Sequence, residues 1–317
     1  MPRLEIRAFS DEHLDDAARL LADRHARHRE AEPLLPVHVD FRAEIGELLA
    51  AGAVGAIGVR DGRVVGYLLG TRLDDEVWGP NVWVELAGHA AEQAEDIRDL
   101  YAFAAGRWVE EGRTRHYVLV PATEAPLVDA WFRLGFGHQQ AQAIRAVPPE
   151  TEVRAPEGFE IRKPTADEVE ALIEVDLALA RHQQLSPVFS ARPRPTADEI
   201  REEWASTLAG SGEEVFVAYR DGRPVACWGV APAEVSRHHR GLSRPERACY
   251  LAFASTLPES RGSGIGVALT DAALAWAAEQ GYAVMVTDWR VPNLLASRFW
   301  PRRGFRETFL RLYRHIP

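Results

Sequence analysis

Apolar and polar positions along this chain change their period several times. Short apolar runs, "VFVAY" (Val215 to Tyr219), "VACWGV" (Val225 to Val230), "CYLAFAST" (Cys249 to Thr256) and "AVMVT" (Ala283 to Thr287), have the length and residue types of strands. Between them, "VALTDAALAWAAEQ" repeats at helical spacing. Leu269, Ala273, Trp276 and Ala277 share one face, and Gly281 lies just beyond the end. Asp61-Gly62 and Asp221-Gly222 each join two apolar runs, as hairpin turns do. Each half of the chain reads as strand, helix, helix, hairpin, strand, helix, strand, helix, strand. The class is α/β or α+β.

The halves echo each other. "LEIRAFSDEHLDDAARLL" from Leu4 resembles "FEIRKPTADEVEALIEV" from Phe159, and "VRDGRVVGYLLG" from Val59 resembles "YRDGRPVACWGV" from Tyr219. Towards the end of each half the register is strict: Gly112, Trp131, Gly135 and Phe136 match Gly281, Trp300, Gly304 and Phe305 at one offset without a gap. So long a period marks a duplicated domain rather than a solenoid. The expected division is 1–147 and 159–317, with a Pro-rich, charged linker over 148–158.

Composition narrows the function classes. The 317 residues carry a formal net charge of −10, which argues against a nucleic-acid partner. Hydrophobic residues make up 46%, enough for a core in each half. No run of about 18 apolar residues occurs, and the start, "MPRLEIRAFSDEH", lacks a signal-peptide core. The chain reads as cytoplasmic, with no membrane partner. Cys227 and Cys249 sit in strand-like runs and read as buried side chains; no zinc spacing is present, and no metal site is expected.

The candidate chemistry lies in "PESRGSGIG", Pro258 to Gly266, between the strand "CYLAFAST" and the following helix. The first turn of a helix offers unpaired N–H groups and a partial positive charge. Glycines let a bulky anion approach that backbone, and Arg261 adds a full charge. The stretch suits a pyrophosphate. The glycines do not follow the G-x-G-x-x-G of a dinucleotide fold, and no Lys follows as in a nucleotide P-loop.

Arg261, Gly264 and Gly266 do fill R/Q-x-x-G-x-G/A, and this stretch resembles the GNAT superfamily of acyl-CoA N-acyltransferases. Asn293, Ala296, Phe299, Gly304 and Phe305 in "NLLASRFWPRRGF" resemble the superfamily's later Asn-to-Gly-Phe segment. The resemblance covers Phe159 to Pro317 and, weakly, the first half. It implies two tandem GNAT-like domains, each a central mixed, mostly antiparallel sheet flanked by helices. It also implies acetyl-CoA as acyl donor. Backbone N–H groups of Gly262, Ser263, Gly264, Ile265 and Gly266 would hold the pyrophosphate, Ser255, Thr256 and Leu257 would pair with the pantetheine arm, and Asn293 and Trp300 would lie along the donor site.

The same register exposes a degenerate copy. Opposite Arg261 to Gly266 the first half has "EQAEDI", Glu92 to Ile97: the glycines are gone and Glu92 replaces the arginine. Glu92, Glu95 and Asp96 suit the helix dipole but would repel a pyrophosphate. The first half is expected to keep the fold, lack the donor site and wall the acceptor pocket of the second.

Acyl transfer to an amine needs a proton acceptor, and an acid often protonates the departing thiolate. The superfamily's frequent acid, a Tyr, is Trp300 here, and Tyr250 stands where histone-acetylating members carry a Glu. Asp288 is the candidate replacement base, since Leu119 holds the matching position of the first half; it reads equally as a cap of the next turn or a partner of Arg290 or Arg298, and Tyr250 reads as a candidate acid or as a packed strand aromatic. His238 and His239 lie in "VSRHHRGLSRPERA", a segment without a counterpart in the first half. It reads either as a lining of the acceptor site or as a solvated basic loop. His182 is a weaker candidate. Arg237, Arg240, Arg244 and Arg247 are candidates for the adenosine 3′-phosphate or an acidic acceptor. The expected function is N-acetylation of a small-molecule amine by direct transfer in a ternary complex, by a monomer or homodimer. The alternative is a protein that binds or senses acyl-CoA without turnover.

Overall fold

The structure, a computed structural model, describes residues 3–210 and 212–317. The first half of the chain forms β1 (Glu5–Ala8), α1 (Leu14–Ala31), α2 (Phe41–Ala50), β2 (Val54–Arg60), β3 (Arg63–Asp75), β4 (Gly79–Val84), β5 (His89–Ala91), α3 (Asp96–Glu110), β6 (Arg115–Pro121), α4 (Ala125–Arg133) and β7 (Gly137–Ala146). The second forms β8 (Phe159–Arg162), α5 (Val169–Gln184), α6 (Ala197–Leu208), β9 (Glu214–Arg220), β10 (Arg223–Pro232), β11 (Ala248–Thr256), α7 (Ile265–Glu279), β12 (Val284–Arg290), α8 (Leu294–Arg302) and β13 (Arg306–His315). The gap-free register of the sequence holds element by element from α3 and α7 onwards: helices and strands begin and end at matching positions.

Local chemistry sets these boundaries. Both hairpins turn on Asp-Gly with both residues in the left-handed region: φ is 53° and 76° at Asp61 and Gly62, and 50° and 74° at Asp221 and Gly222. That is the turn whose twist suits flanking strands. Thr196 and Glu199 close a reciprocal capping box at the start of α6, at 3.2 and 2.7 Å.

Two compact units result, and they cut across the expected division of the chain. The first contains Met1–Gln142, Gly241–Pro245 and Glu307–Pro317; the second contains Ala143–Arg240 and Glu246–Arg306. In the first unit the strand order is β1-β2-β3-β4-β6-β13, with β5 also on β3. The pairs are antiparallel except β4 with β6. The last strand of the chain, β13, pairs with β6 from Phe309↔Pro121 to His315↔Arg115. In the second unit the order is β12-β11-β10-β9-β8, antiparallel except β11 with β12. β7 divides between the units. Thr308 Oγ1 donates to the Gln142 carbonyl at 3.2 Å in the first, and just past the strand the Val147 N–H donates to the Ala283 carbonyl at 2.9 Å in the second.

Each sheet buries both faces. In the first unit Leu21, Ile45, Tyr67, Leu69 and Phe309 form one apolar cluster, and Leu68, Leu100, Trp108, Trp131 and Leu310 form another. Leu242, from the second half of the chain, is fully buried in the first of these clusters. In the second unit Cys227 of β10 joins Leu172, Val175, Ile200 and Trp204. Its neighbour Trp228 faces the other way, where an added Cβ on Gly266 of α7 would meet its ring at 3.4 Å. Among the described residues no helix is long and apolar enough to cross a membrane, and no group of His, Cys, Asp and Glu is arranged to hold a metal ion.

Candidate active site

The glycine turn has the geometry of an anion cradle. Gly262 and Gly264 have φ of 79° and 89°, a region where a side chain is strained, and an added Cβ on Gly262 would meet nothing within 4 Å. Gly264 is the N-cap of α7. Gly266 serves packing instead, bringing the helix against Phe299 and Trp228 at 3.4 Å. Among the described residues no hydrogen bond is donated by the main-chain N–H of Gly262, Ser263, Gly264 or Gly266. Arg261 Nε donates to the Thr256 carbonyl at 3.2 Å, fixing the arginine beside the strand end.

β11 leads from this turn into the unit. It pairs with β12 only over Ala248–Leu251, while its pairing with β10 continues to Thr256. From Ala252 to Thr256 one edge of β11 therefore has no strand beside it among the described residues. The register with β10 also slips between Gly229 and Val230, leaving Ala252 as the extra residue of a bulge. Ser255 is buried, and its hydroxyl donates to the Val175 carbonyl at 2.5 Å, tying the strand to α5.

A polar cluster stands where the two strands part. Tyr250 and Asp288 lie on the same face, two residues apart in register. The Tyr250 hydroxyl donates to Asp288 Oδ1 at 2.8 Å. His238 Nδ1 approaches the same oxygen at 3.3 Å. Ser236 Oγ accepts from the main-chain N–H of both His238 and His239, at 3.2 and 3.1 Å, and His239 is buried against the Tyr250 ring. Burial alone would push the Asp288 carboxyl up, but the hydrogen bond and charge of His238, with His239 and the Tyr250 hydroxyl, hold it well below the usual carboxylate range. Burial and the Asp288 charge push the Tyr250 hydroxyl far above its ordinary value, and burial lowers His239 to about 4.

An acidic group lies around α5 and the start of β9 in this unit. Glu213 projects its carboxylate over Gly229, within 2.3 Å of where a Cβ would stand. Burial, then repulsion from Glu203, raises Asp176 of α5 to about 6. Burial, then Glu203 and Asp176, raises Glu213 as well.

The matching places in the first unit are closed by the chain itself. Glu92 takes a bidentate pair from Arg63 at 2.6 and 2.8 Å, Glu95 pairs with Arg98 and Arg133, and Asp96 takes Arg60 at 2.8 Å. The strand edge is closed by Arg24 of α1, only 1% exposed. Its guanidinium donates to the Leu86 carbonyl at 2.5 Å and to the His89 carbonyl. The Tyr67 hydroxyl covers the Ala87 carbonyl at 2.7 Å, and the Gly88 carbonyl accepts from Leu69 N–H at 2.6 Å.

A turn and a parted strand pair follow one another along the chain, and comparison with known proteins gives the family. The Acetyltransferase (GNAT) family profile matches residues 178–305. An aminoglycoside N(6′)-acetyltransferase type 1 of Stenotrophomonas maltophilia is 32% identical over 126 residues, 39% of this chain and 79% of that protein. The chain belongs to the GNAT acetyltransferase family. A GCN5-related N-acetyltransferase of Sphaerobacter thermophilus shares the fold across 98% of this chain and 95% of its own, with a TM-score of 0.61 at 14% identity. A GCN5-related glucosamine N-acetyltransferase region of a fungal multi-domain GH3 β-N-acetylglucosaminidase does so across 99% of this chain and 38% of its own, with a TM-score of 0.56 at 15% identity.

Within this GNAT protein the expected site residues fall into distinct places. Asp288 and Tyr250 meet. Asn293 caps α8 through Oδ1, accepting from Leu295 and Ala296 N–H at 3.2 and 3.3 Å, and the same oxygen accepts from His182 Nε2 at 3.0 Å. Trp300 is 5% exposed, packed among Trp228, Phe299 and Phe305. Arg244 lies in the first unit near Glu44, whereas Arg247 donates to the Gly281 carbonyl in the second. Three features had no clear sequence signal: the contact of His238 with Asp288, which are 50 residues apart, the acidic group around Glu213, and the Arg24 closure.

Proposed function

We propose that this GNAT protein moves an acetyl group from acetyl-CoA to a primary amine of a small cationic molecule, by direct transfer in its second unit. The residues present fit the donor. Unused N–H groups at Gly262, Ser263, Gly264 and Gly266 and the Arg261 charge suit a diphosphate, and the open edge of β11 suits an amide-bearing arm. Bound there, acetyl-CoA supplies an activated acyl thioester. Main-chain N–H groups at the Ala252 bulge are placed to stabilise charge on its carbonyl oxygen. The amine approaches from the side of α5, where Asp176, Glu203 and Glu213 favour a cation, and its proton passes into the Asp288–Tyr250–His238 cluster.

One observation carries this reading: the unpaired edge of β11 runs from the glycine turn to the polar cluster, so donor and proton acceptor meet at the strand divergence. A reading as an acyl-CoA-binding protein without turnover draws on Trp300, whose buried ring offers no acid. Calorimetry with acetyl-CoA, followed by thiol release in the presence of kanamycin or spermidine, tests both. Binding with amine-dependent release is expected. Binding without release from either amine favours the second reading, and no binding removes both.

A further inference from the structure

The Asp288 carboxylate is a poor proton acceptor in its own setting. It already receives the Tyr250 hydroxyl at 2.8 Å and His238 at 3.3 Å on a single oxygen, Oδ1. An ionised carboxylate only accepts, so His238 donates to it through Nδ1–H, and in its neutral form the ring then carries its lone pair on Nε2. The imidazole side chain is 46% exposed, while Asp288 is 12% exposed. The group that can reach a bound amine is thus the ring, and the group that fixes the ring is the acid. Ser236 pins the segment from below, its hydroxyl accepting from the main chain of His238 and His239. Tyr250 donates to Asp288 and so steadies the carboxylate without entering the proton path.

We infer that His238 is the proton-transferring catalytic residue of the acetyl transfer, with Asp288 and Tyr250 as its positioning residues. This rests on the acetyltransferase reading above and changes the role expected for Asp288 within it. Nε2 of His238 takes the proton that the amine nitrogen loses as the new carbon–nitrogen bond forms. The carbon–sulfur bond breaks, its electron pair leaves on sulfur, and the imidazolium returns that same proton to the thiolate. An imidazolium is a stronger acid than a thiol, so the return is downhill. One residue then serves as both base and acid, which answers how this chain works with Trp300 where relatives carry a Tyr.

The test has a kinetic arm and a spectroscopic arm. His238→Gln and His238→Ala are expected to lower kcat for acetylation of kanamycin or spermidine by about a hundredfold or more, with the acetyl-CoA dissociation constant by calorimetry unchanged within twofold. A loss under threefold overturns the assignment. Nitrogen-15 imidazole spectra of the full-length protein, His238 identified by its loss in His238→Gln, are expected to show the Nδ1–H tautomer. Asp288→Asn is expected to redistribute it towards Nε2–H. A wild-type Nε2–H tautomer overturns the proposal even if neither amine proves to be an acceptor. If the wild-type protein binds acetyl-CoA and shows the expected tautomer but acetylates neither amine, the acceptor class fails while the His238–Asp288 arrangement stands.

Discussion

The two helix starts at Glu95 and Gly264 occupy the same place in two copies of one fold and have opposite fates. In the second unit the backbone there is bare and left-handed, and among the described residues the N–H groups of Gly262, Ser263, Gly264 and Gly266 have no acceptor. In the first, α3 begins in ordinary right-handed geometry, and Glu92, Glu95 and Asp96 each pair with an arginine. The lesson is that losing a ligand site takes more than losing its glycines. Carbonyls of a strand edge that a ligand no longer pairs must find other partners, because a buried unpaired carbonyl is costly. Arg24 and Tyr67 supply them. In the first copy the chain's own side chains hold the places that the proposal gives to a ligand in the second.

The sharpest way to break this comparison is to give the second copy the residue of the first. Gly264→Glu adds backbone strain at a φ of 89° and a carboxylate facing a diphosphate. The repulsion costs about 2–3 kcal/mol of binding, a loss of acetyl-CoA affinity of roughly a hundredfold, and the strain costs about 1–2 kcal/mol of folding stability. Calorimetry should show the first and a modest fall in melting temperature the second. An unchanged affinity would mean the donor does not bind at this turn.

The next effect is on stability in the first unit. Arg24→Ala leaves the Leu86 and His89 carbonyls without their donor and opens a void among Tyr67, His28 and His89. We expect a loss of about 2–3 kcal/mol, read as a lower melting temperature, since removing a buried charge offsets part of the cost. Acetyl-CoA affinity below the melt should stay the same. If melting is unaffected, Arg24 is not what closes the edge.

Some of this was legible in the sequence and some was not, for physical reasons. The glycine turn and the matched Trp and Gly positions are local, so their spacing survives as pattern. Asp288 stood out because Leu119 held its place in the other copy. The role of His238 did not, since it depends on a contact 50 residues away. Strand partners were equally hidden. β7 and β13 each have strand length and composition, and nothing within "RETFLRLYRH" states that its neighbour is β6. Leu242 looked like part of a basic loop, yet its side chain completes the core of the first unit.

Acid should separate the two units more gently. Burial lowers His28 and His89 of the first unit to about 3 from the usual 6.5. A histidine kept neutral by the fold contributes stability that is present above its unfolded value and is lost as pH falls below 6.5 towards 3. Between pH 7 and 6 the pair should remove roughly 1 kcal/mol. In the second unit Asp176, raised to about 6, has the opposite sign: its burial is favourable once protonated and is penalised as pH rises through 6. His239, at about 4, partly offsets it. Amide hydrogen exchange, corrected for intrinsic rates, should show peptides of 3–142 losing protection first. Equal loss in both units would contradict the assignment of His28 and His89 as buried and neutral.

The smallest effect concerns a contact that both copies keep while changing its chemistry. In the second unit His182 of α5 donates to Asn293 at the start of α8 at 3.0 Å. In the first, Arg27 of α1 meets Glu124 at the start of α4 at 3.4 Å. Counted from Leu4 and Phe159, Arg27 and His182 hold the same place in the repeat. Asn293 also caps its helix, which Glu124 does not, so Asn293→Ala should cost about 1 kcal/mol. The double change His182→Arg with Asn293→Glu transplants the first copy's pair. It gains an ion pair worth about 0.5 kcal/mol and loses the cap, so its stability should fall within about 1 kcal/mol of the parent. A double-mutant cycle then isolates the pair from the cap. Acetyl-CoA calorimetry on the same variant separates structure from binding. If affinity falls while stability holds, Asn293 serves the donor; if both hold, this contact is a joint of the fold in either copy.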